Sequence, residues 1–336
     1  MHMADALLSP AVAGTMYVCS TAAAGYSVNR IKKYEDAVKI PEMGVMGAFV
    51  FAAQMINFTI PGTGSSGHLC GGMLLGAMLG PHAGFLTMTG ILLIQCLLFA
   101  DGGILALGAN IWNMAFWGCF LGAGLIWRMV MKRGASKGKI IGASVLGCVL
   151  SLQLGAFCVT LQTAASGITE LPFVAFLSVM QPIHLAIGLV EGLITALVLC
   201  FVYEARPELL WGIGEGKEKG RLSVKQVTVV LAIAALITAG GISLAASEFP
   251  DGLEWSLQRM TGSTELESFG GIYDRLASIQ EQTAVLPDYG LPDAESPAGT
   301  SLAGVAGGVV VALFCMLVAV IVRGSRKRVK EGQERQ

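Results

Sequence analysis

The sequence contains few charged residues for its length. Asp, Glu, Lys and Arg make up 13% of its 336 residues, hydrophobic residues make up 54%, and the mean hydropathy is +0.67. An ordinary soluble domain is about 25% charged, so this composition excludes one. It indicates a chain for which the lipid bilayer is the solvent, and the function classes left open are those of membrane proteins.

Several motifs that would assign an activity are missing. The eight cysteines form no CxxC pair, and the sequence contains neither HExxH nor a strict GxxxxGK[ST]. We therefore interpret the cysteines as small apolar packing residues, find no support for a zinc peptidase, and do not expect the chain to hydrolyse ATP. No Lys or Arg precedes the first apolar run, as it would in a cleaved leader, so we expect this helix to stay attached and the chain to begin at Met1.

Nine apolar segments approach the roughly 20 residues that a membrane span requires. They cover residues 6–27, 43–60, 67–80, 82–99, 105–127, 140–161, 176–203, 226–246 and 302–322. Gly80 and Pro81 separate the third from the fourth, so these two either span separately or form one kinked hairpin that lines a cavity. We predict an all-α integral membrane protein, with a seven-helix bundle followed by two more helices. Many of the 44 glycines lie in the apolar segments and favour close helix packing.

The basic residues are unevenly distributed between the connecting segments. Residues 28–42, 128–139, 204–225 and the tail from Arg323 contain 20 of the 22 Lys and Arg. The positive-inside rule places these segments in the cytoplasm, which predicts an outer N-terminus and an inner C-terminus. We expect a multi-pass protein of a prokaryotic cell membrane.

The chain divides at a charged, glycine-rich run. We predict a metal-binding membrane domain at residues 1–205, a cytoplasmic linker at 206–225, and a module at 226–336 with two spans and an outer loop at 247–301. Between Glu248 and Glu295 this loop has ten acidic residues and two basic ones. A solvated outer segment explains that composition better than a cation-attracting mouth, although both interpretations stay open.

His2 is the second residue of the chain, where it could bind a metal together with the terminus. The Met1 amine, the His2 amide nitrogen and the near ring nitrogen of His2 can close a five-membered and a six-membered chelate ring around one ion. Fused rings with a deprotonated amide favour planar coordination, which suits Ni(II) or Cu(II) and is feasible for Co(II). The alternative is a disordered terminal histidine without a role.

His68 is the second candidate, in the glycine-rich segment IPGTGSSGHLCGG of residues 60–72. This segment is predicted on the same side of the membrane as Met1. Irregular backbone at membrane depth is tolerated where it lines a cavity, so the loop can fold inward and supply a fourth nitrogen. The alternative is an interfacial side chain.

Polar side chains within the apolar segments are functional candidates by default. They are Asp101, Asn110, Asn113, His184 and Glu191. These side chains either orient the metal ligands or hydrogen-bond between helices.

Four blocks of the sequence resemble the signature blocks of the CbiM/NikM family. They are MHMADALLSP (residues 1–10), the glycine-rich block at 60–72, FADGGILALGAN (99–110) and HLAIGLVEGLI (184–194). The resemblance implies an energy-coupling-factor transporter subunit that captures Ni(II) or Co(II) as substrate, with no organic cofactor. It also implies that Met1, His2 and His68 are the metal ligands.

The segment FPDGLEW at residues 249–255 is similar to the PDGLE module that accompanies nickel and cobalt members of this family. The resemblance implies that the module helps the ion enter or leave, and we expect it to supply no metal ligand because its conspicuous residues are carboxylates. It slightly favours nickel. The implied partners are a transmembrane coupling protein, a pair of cytoplasmic ATPases and the membrane lipid, with no nucleic acid.

Two other function classes agree less well with the sequence. A self-sufficient secondary transporter or channel would require ionisable relays through the bilayer, and only His184 and Glu191 offer one. A membrane metalloenzyme would require an open metal position and a nearby base. A planar four-nitrogen site has no vacancy in its plane, so we expect a transport subunit and not an enzyme.

Overall fold

The computed structural model describes residues 1–34, 40–213, 221–268, 270–291 and 297–333. The helices of the first part are α1 (Pro10–Tyr34), α2 (Ile40–Gln54), α3 (Gly72–Leu79), α4 (Pro81–Phe99), α5 (Leu107–Met131), α6 (Lys137–Ser166) and α7 (Phe173–Ala205). The second part contains α8 (Val224–Gly240), α9 (Gly252–Thr261), α10 (Ile272–Thr283) and α11 (Pro297–Gln333). Two short antiparallel strands, β1 (Phe58–Ile60) and β2 (Ser65–Gly67), form a hairpin before α3.

The helices confirm the predicted fold class, an all-α integral membrane protein. Five of them are long and apolar enough to cross a membrane: α4, α5, α6, α7 and the part of α11 from Gly299 to Ile321. Helix α8 is a shorter apolar helix. The count of nine spans and the orientation stay predictions, and residues 214–220 of the predicted linker lie outside the described residues.

The third predicted segment forms a bend and not a span. Its helix α3 has eight residues, all buried, and at 1.5 Å per residue it covers about 12 Å. Gly71 and Gly80 bound it with φ of 83° and 88°, a left-handed conformation that glycine adopts without steric cost. Pro81 then starts α4 at a position where a missing N–H costs nothing. Helix α3 is therefore too short to cross a bilayer alone, whereas α4 is long and apolar enough to do so.

The first nine residues, which we call the N-terminal strap, lie inside the bundle. Met3, Leu7 and Leu8 are at most 1% exposed. Asn110 holds the strap by accepting from the Met3 N–H at 2.8 Å and donating to the Met3 carbonyl oxygen at 3.1 Å. The strap thereby brings the terminal amine next to the loop that follows β2.

The C-terminal module packs against the first part of the chain. Helix α11 lies against α2, and Gly307 is so close to the rings of Phe51 and Phe99 that a Cβ there would come within 2.7 Å of both. The segment between α8 and α11 forms α9 and α10, with Leu253 and Leu257 of α9 buried. Asp251, at the N-terminus of α9, contacts the amine of Met1.

Candidate metal centre

The Met1 amine and the His68 ring form the centre of the site. The amine nitrogen lies 3.1 Å from Nε2 of His68. The other ring nitrogen, Nδ1, donates to the Leu69 carbonyl oxygen at 3.1 Å, which leaves the Nε2 lone pair facing the amine. In the structure, His68 of the glycine-rich loop therefore lies in contact with the amine of the chain terminus.

The His2 ring lies beside this pair but is engaged elsewhere. Its Nδ1 donates to Oδ1 of Asp101 at 3.0 Å, Nε2 lies 3.3 Å from Oε1 of Gln95, and the ring stacks on His68 with centroids 5.4 Å apart. Burial, opposed by the Asp101 carboxylate, lowers the pKa of His2 to about 4. Chelation by His2 Nδ1 requires this nitrogen to leave Asp101, and Asp101 is itself held by the hydroxyl of Tyr289 at 2.5 Å.

Asp251 is a site residue that sequence reasoning missed. Its Oδ2 forms an ion pair with the Met1 amine and lies 3.7 Å from Nε2 of His68, while its side chain is 13% exposed. Its Oδ1 accepts from the N–H groups of Leu253 and Glu254 at 2.7 and 2.9 Å, which caps α9. The carboxylate belongs to the PDGLE segment, from which no metal ligand was expected. The sequence signal that could have indicated Asp251 is a capping box, Asp251 with Glu254, in an acidic segment predicted on the same side of the membrane as Met1.

The ion pair shifts the pKa values of both partners. Burial disfavours both charges, but each partner stabilises the other. The pKa of the Met1 amine is consequently raised. The pKa of Asp251 is well below its usual range because the attraction of the amine and of His68 exceeds the effect of burial. A proton on the amine and an ionised Asp251 describe the metal-free site.

Asn110 and Asn113 act on the strap and not on the candidate ligands. Asn110 binds both backbone groups of Met3, as described above. Asn113 exchanges two hydrogen bonds with Gln162, at 2.8 and 3.0 Å, and its amide lies 3.5 Å from Sδ of Met3. Asn110 therefore holds the backbone that carries the amine and His2, and Asn113 contacts the side chain of Met3.

Glu191 stabilises the loop that carries His68. Its two carboxylate oxygens accept from the N–H groups of Cys70 and Gly71, each at 3.0 Å, and the residue is 1% exposed. Two charge-assisted bonds in a buried setting are the stronger kind of hydrogen bond. This arrangement fixes the backbone directly after His68.

His184 is buried beside the same cluster. Its Nδ1 donates to the Met180 carbonyl oxygen at 2.8 Å, and its Nε2 has no hydrogen-bond partner among the described residues. A small cavity is lined by His184, Met1, His68 and Asp251. His184 and Glu191 thus lie on one helix but serve different surroundings, which gives no support to a relay between them.

An acidic vestibule opens onto His2 and His68. Its volume is about 540 Å³. Seven of its lining residues are carboxylates, and none of those described is Lys or Arg; the seven are Asp5, Asp101, Asp251, Glu254, Glu265, Asp274 and Asp288. Both the N-terminal strap and the C-terminal module contribute to it. Negative walls around a cavity concentrate cations at its end.

Side chains alone do not form a conventional metal site in this region. Among the residues that the structure describes, no three His, Cys, Asp or Glu side chains are grouped so that they could hold a metal ion.

Two family models match the chain, one after the other. Residues 2–209 match CbiM, the cobalt uptake substrate-specific transmembrane region, and residues 225–324 match the PDGLE domain. The first match covers more than half of the chain. The first match ends at residue 209 and the second begins at residue 225.

Similar proteins and a similar solved structure are also found. A putative fused nickel transport protein NikMN of Archaeoglobus fulgidus is 35% identical over 312 residues, which cover 93% of this chain and 95% of that protein. A cobalt transport protein CbiM of Geobacter sulfurreducens is 30% identical over 224 residues, 63% of each chain. The crystal structure of a truncated transition metal transporter, 31% identical, superposes with a TM-score of 0.53 over 61% of this chain and 99% of that one.

Proposed function

We propose that this chain, which belongs to the CbiM family of cobalt uptake substrate-specific transmembrane regions, captures Ni(II) or Co(II) for an energy-coupling-factor importer. It would bind the ion at the outer face of a prokaryotic cell membrane. Its PDGLE domain is fused to it, as in the similar NikMN chain. Transport of a transition metal is what its relatives' names have in common.

The spacing of the Met1 amine and His68 carries the proposal. Two nitrogens bound to one ion at about 2.0–2.1 Å each, with a right angle between the bonds, lie about 2.9 Å apart. The amine nitrogen and Nε2 are 3.1 Å apart. The pair is therefore close to the separation of neighbouring donors around a single metal ion.

The remaining donors come from His2. Its amide nitrogen follows the amine in the chain, and rotation of the ring away from Asp101 would bring Nδ1 into a planar set of four nitrogens. Such a set favours Ni(II) over Co(II), in agreement with the slight preference for nickel that the fused module suggests. Asp101 and Gln95 would hold the ring until the ion arrives.

The energy for transport would come from other proteins. The sequence contains no nucleotide-binding motif, so we propose a transmembrane coupling protein and a pair of cytoplasmic ATPases as partners. A self-sufficient secondary transporter is the alternative, but Glu191 binds two backbone N–H groups and His184 a carbonyl oxygen. Neither arrangement supports a proton relay through the bilayer.

Ion binding is expected to release at least two protons, one from the Met1 amine and one from the His2 amide. Asp251 raises the pKa of the amine, so the metal must displace a proton that is held more firmly than in a free terminus. Affinity for Ni(II) should therefore rise with pH, by about a hundredfold per unit near neutral pH if two protons leave. Calorimetric titration in two buffers of different ionisation enthalpy counts the protons.

The same titration provides the control and the contrary result. Replacing Ni(II) with Mg(II), which prefers oxygen ligands, should give neither comparable affinity nor the same proton release. Release of one proton or none on tight Ni(II) binding would show that the amine or the amide is not a ligand.

A further inference from the structure

The carboxylate of Asp251 lies between the acidic vestibule and the candidate nitrogen ligands. It lines the vestibule together with His2 and His68, and it also lines the small inner cavity with Met1 and His184. We propose that Asp251 is a loading ligand, which binds the arriving divalent ion first and passes it to the nitrogens of Met1 and His68. This inference rests on the proposed function and adds a residue of the C-terminal module to it.

Asp251 lies close to the position that an ion bound to the Met1 amine would occupy. Its Oδ2 contacts the Met1 nitrogen and lies 3.7 Å from Nε2 of His68. An ion bonded to the amine at about 2.0–2.1 Å would consequently lie within about 4.5 Å of Oδ2. A direct bond between Oδ2 and the ion would require the carboxylate and the ion to move closer together than this limit, and the neighbouring amine is the contact that Oδ2 makes otherwise.

Asp251 is also the donor of this cluster that is ready to bind a cation. The amine and the His2 amide must each lose a proton before they can coordinate an ion, and Nδ1 of His2 is occupied by Asp101. Oδ2 of Asp251 instead faces both the amine and His68 from the wall of the vestibule, where it can contact an arriving ion before these nitrogens rearrange. Carboxylates accept Co(II), Ni(II) and similar ions less selectively than nitrogen ligands do, which suits a transient contact.

Hydrogen bonds and packing within the PDGLE segment fix the orientation of the Asp251 carboxylate. Oδ1 is fixed by the N–H groups of Leu253 and Glu254, so that Oδ2 faces the amine and His68. Gly252 lies against α7, where a Cβ would come within 2.8 Å of Ile187 and 3.0 Å of the His184 ring. A larger residue at this position would push the start of α9 away from the site.

The same segment is tied to the hairpin that carries His68. The Ser66 N–H donates to the Pro250 carbonyl oxygen at 2.8 Å, and Nε1 of Trp255 donates to the Thr63 carbonyl oxygen at 3.0 Å. Asp251 and His68 are therefore held in one hydrogen-bonded unit. The C-terminal module thus positions two groups of the loading path together.

Stopped-flow loading of the full chain with Ni(II) tests the inference in the variant Asp251→Asn. Asparagine is as good a helix cap as aspartate, so α9 should be retained while the charge is lost. We expect the loading rate constant to fall at least about tenfold. The release rate constant, measured with a chelator, should fall similarly, because a loading ligand lowers the barrier in both directions.

The matched control is Glu265→Gln, which removes one negative charge from the same vestibule. Its loading rate should fall by less than about threefold, since this variant removes one of seven vestibule carboxylates and leaves the contacts of Asp251 with Met1 and His68 in place. Asp251→Ser, which preserves a capping oxygen, should be as slow as Asp251→Asn. The melting temperature of each metal-free variant shows whether the fold is retained.

Three results would overturn the loading role: native or faster loading in Asp251→Asn, native loading in a folded Asp251→Ser, or equal slowing in Glu265→Gln. Equal slowing would mean that the vestibule acts only through its total charge. The proposed function fails separately, if the native chain shows no Ni(II) binding at equilibrium. Native binding with unchanged loading in both Asp251 variants would contradict the loading role alone.

Discussion

A chain extended by four residues, such as Ser-Gly-Ser-Gly before Met1, is expected to lose tight Ni(II) binding although every side chain is preserved. The extension converts the Met1 amine into a peptide nitrogen, so the metal loses the amine that anchors it. Without this anchor the His2 amide keeps its proton, and both chelate rings that share the amide nitrogen are lost. The two donors removed are therefore the amine and the amide. A four-ligand site has an apparent binding free energy of roughly 10–16 kcal/mol, so two lost donors of four correspond to several kcal/mol. The affinity should fall by about four orders of magnitude.

The length of the extension matters. A single added residue would move the histidine to the third position, where an amine, two amides and the imidazole can again surround Ni(II) in a plane. Four residues avoid that substitute site. The same four residues added after Gln336 should leave the affinity unchanged, and they serve as the control. Tight binding by a folded, N-terminally extended chain would contradict the proposed ligand set.

Reconstituted alone in liposomes, the chain is expected to retain no more Ni(II) than its own binding site holds, with or without enclosed ATP. It contains no strict GxxxxGK[ST], and its buried Glu191 is held by backbone N–H groups. Addition of the coupling protein and the ATPase pair should produce uptake that depends on ATP. Measured uptake of a nickel radioisotope distinguishes the two conditions.

The complete assembly with His2→Ala is the control for this experiment. It should hydrolyse ATP but transport little nickel, because the energy source is present and the capture site is not. Accumulation by the chain alone, driven by a proton or sodium gradient, would instead support the secondary transporter.

Local sequence patterns predicted much of the fold. Long apolar runs with few charges gave α4 to α7 within a few residues, because a helix is the simple way for one segment to satisfy its backbone in lipid. The segment at 67–80 was less predictable. Its apolar composition suits a span, but Gly71 and Gly80, both with positive φ, lie before and after α3 and limit it to eight residues.

The candidate site was only partly predictable, for a physical reason. The His2 and His68 candidates follow from residue type and position, and the structure places the Met1 amine 3.1 Å from His68. The roles of Asp251 and Glu191 depend on contacts between residues 250 and 120 positions apart in the chain. No periodicity records such contacts, and an acidic outer segment looks the same whether it is solvated or packed on a site.

The central claim is a nickel site made of four nitrogens from Met1, His2 and His68. X-ray absorption spectroscopy of the Ni(II)-loaded chain with its native terminus tests it most directly. The claim predicts about four nitrogen neighbours at short, uniform distances in a planar arrangement, and one fewer protein nitrogen in His68→Ala. A six-coordinate, oxygen-rich shell that is unchanged in His68→Ala would contradict it.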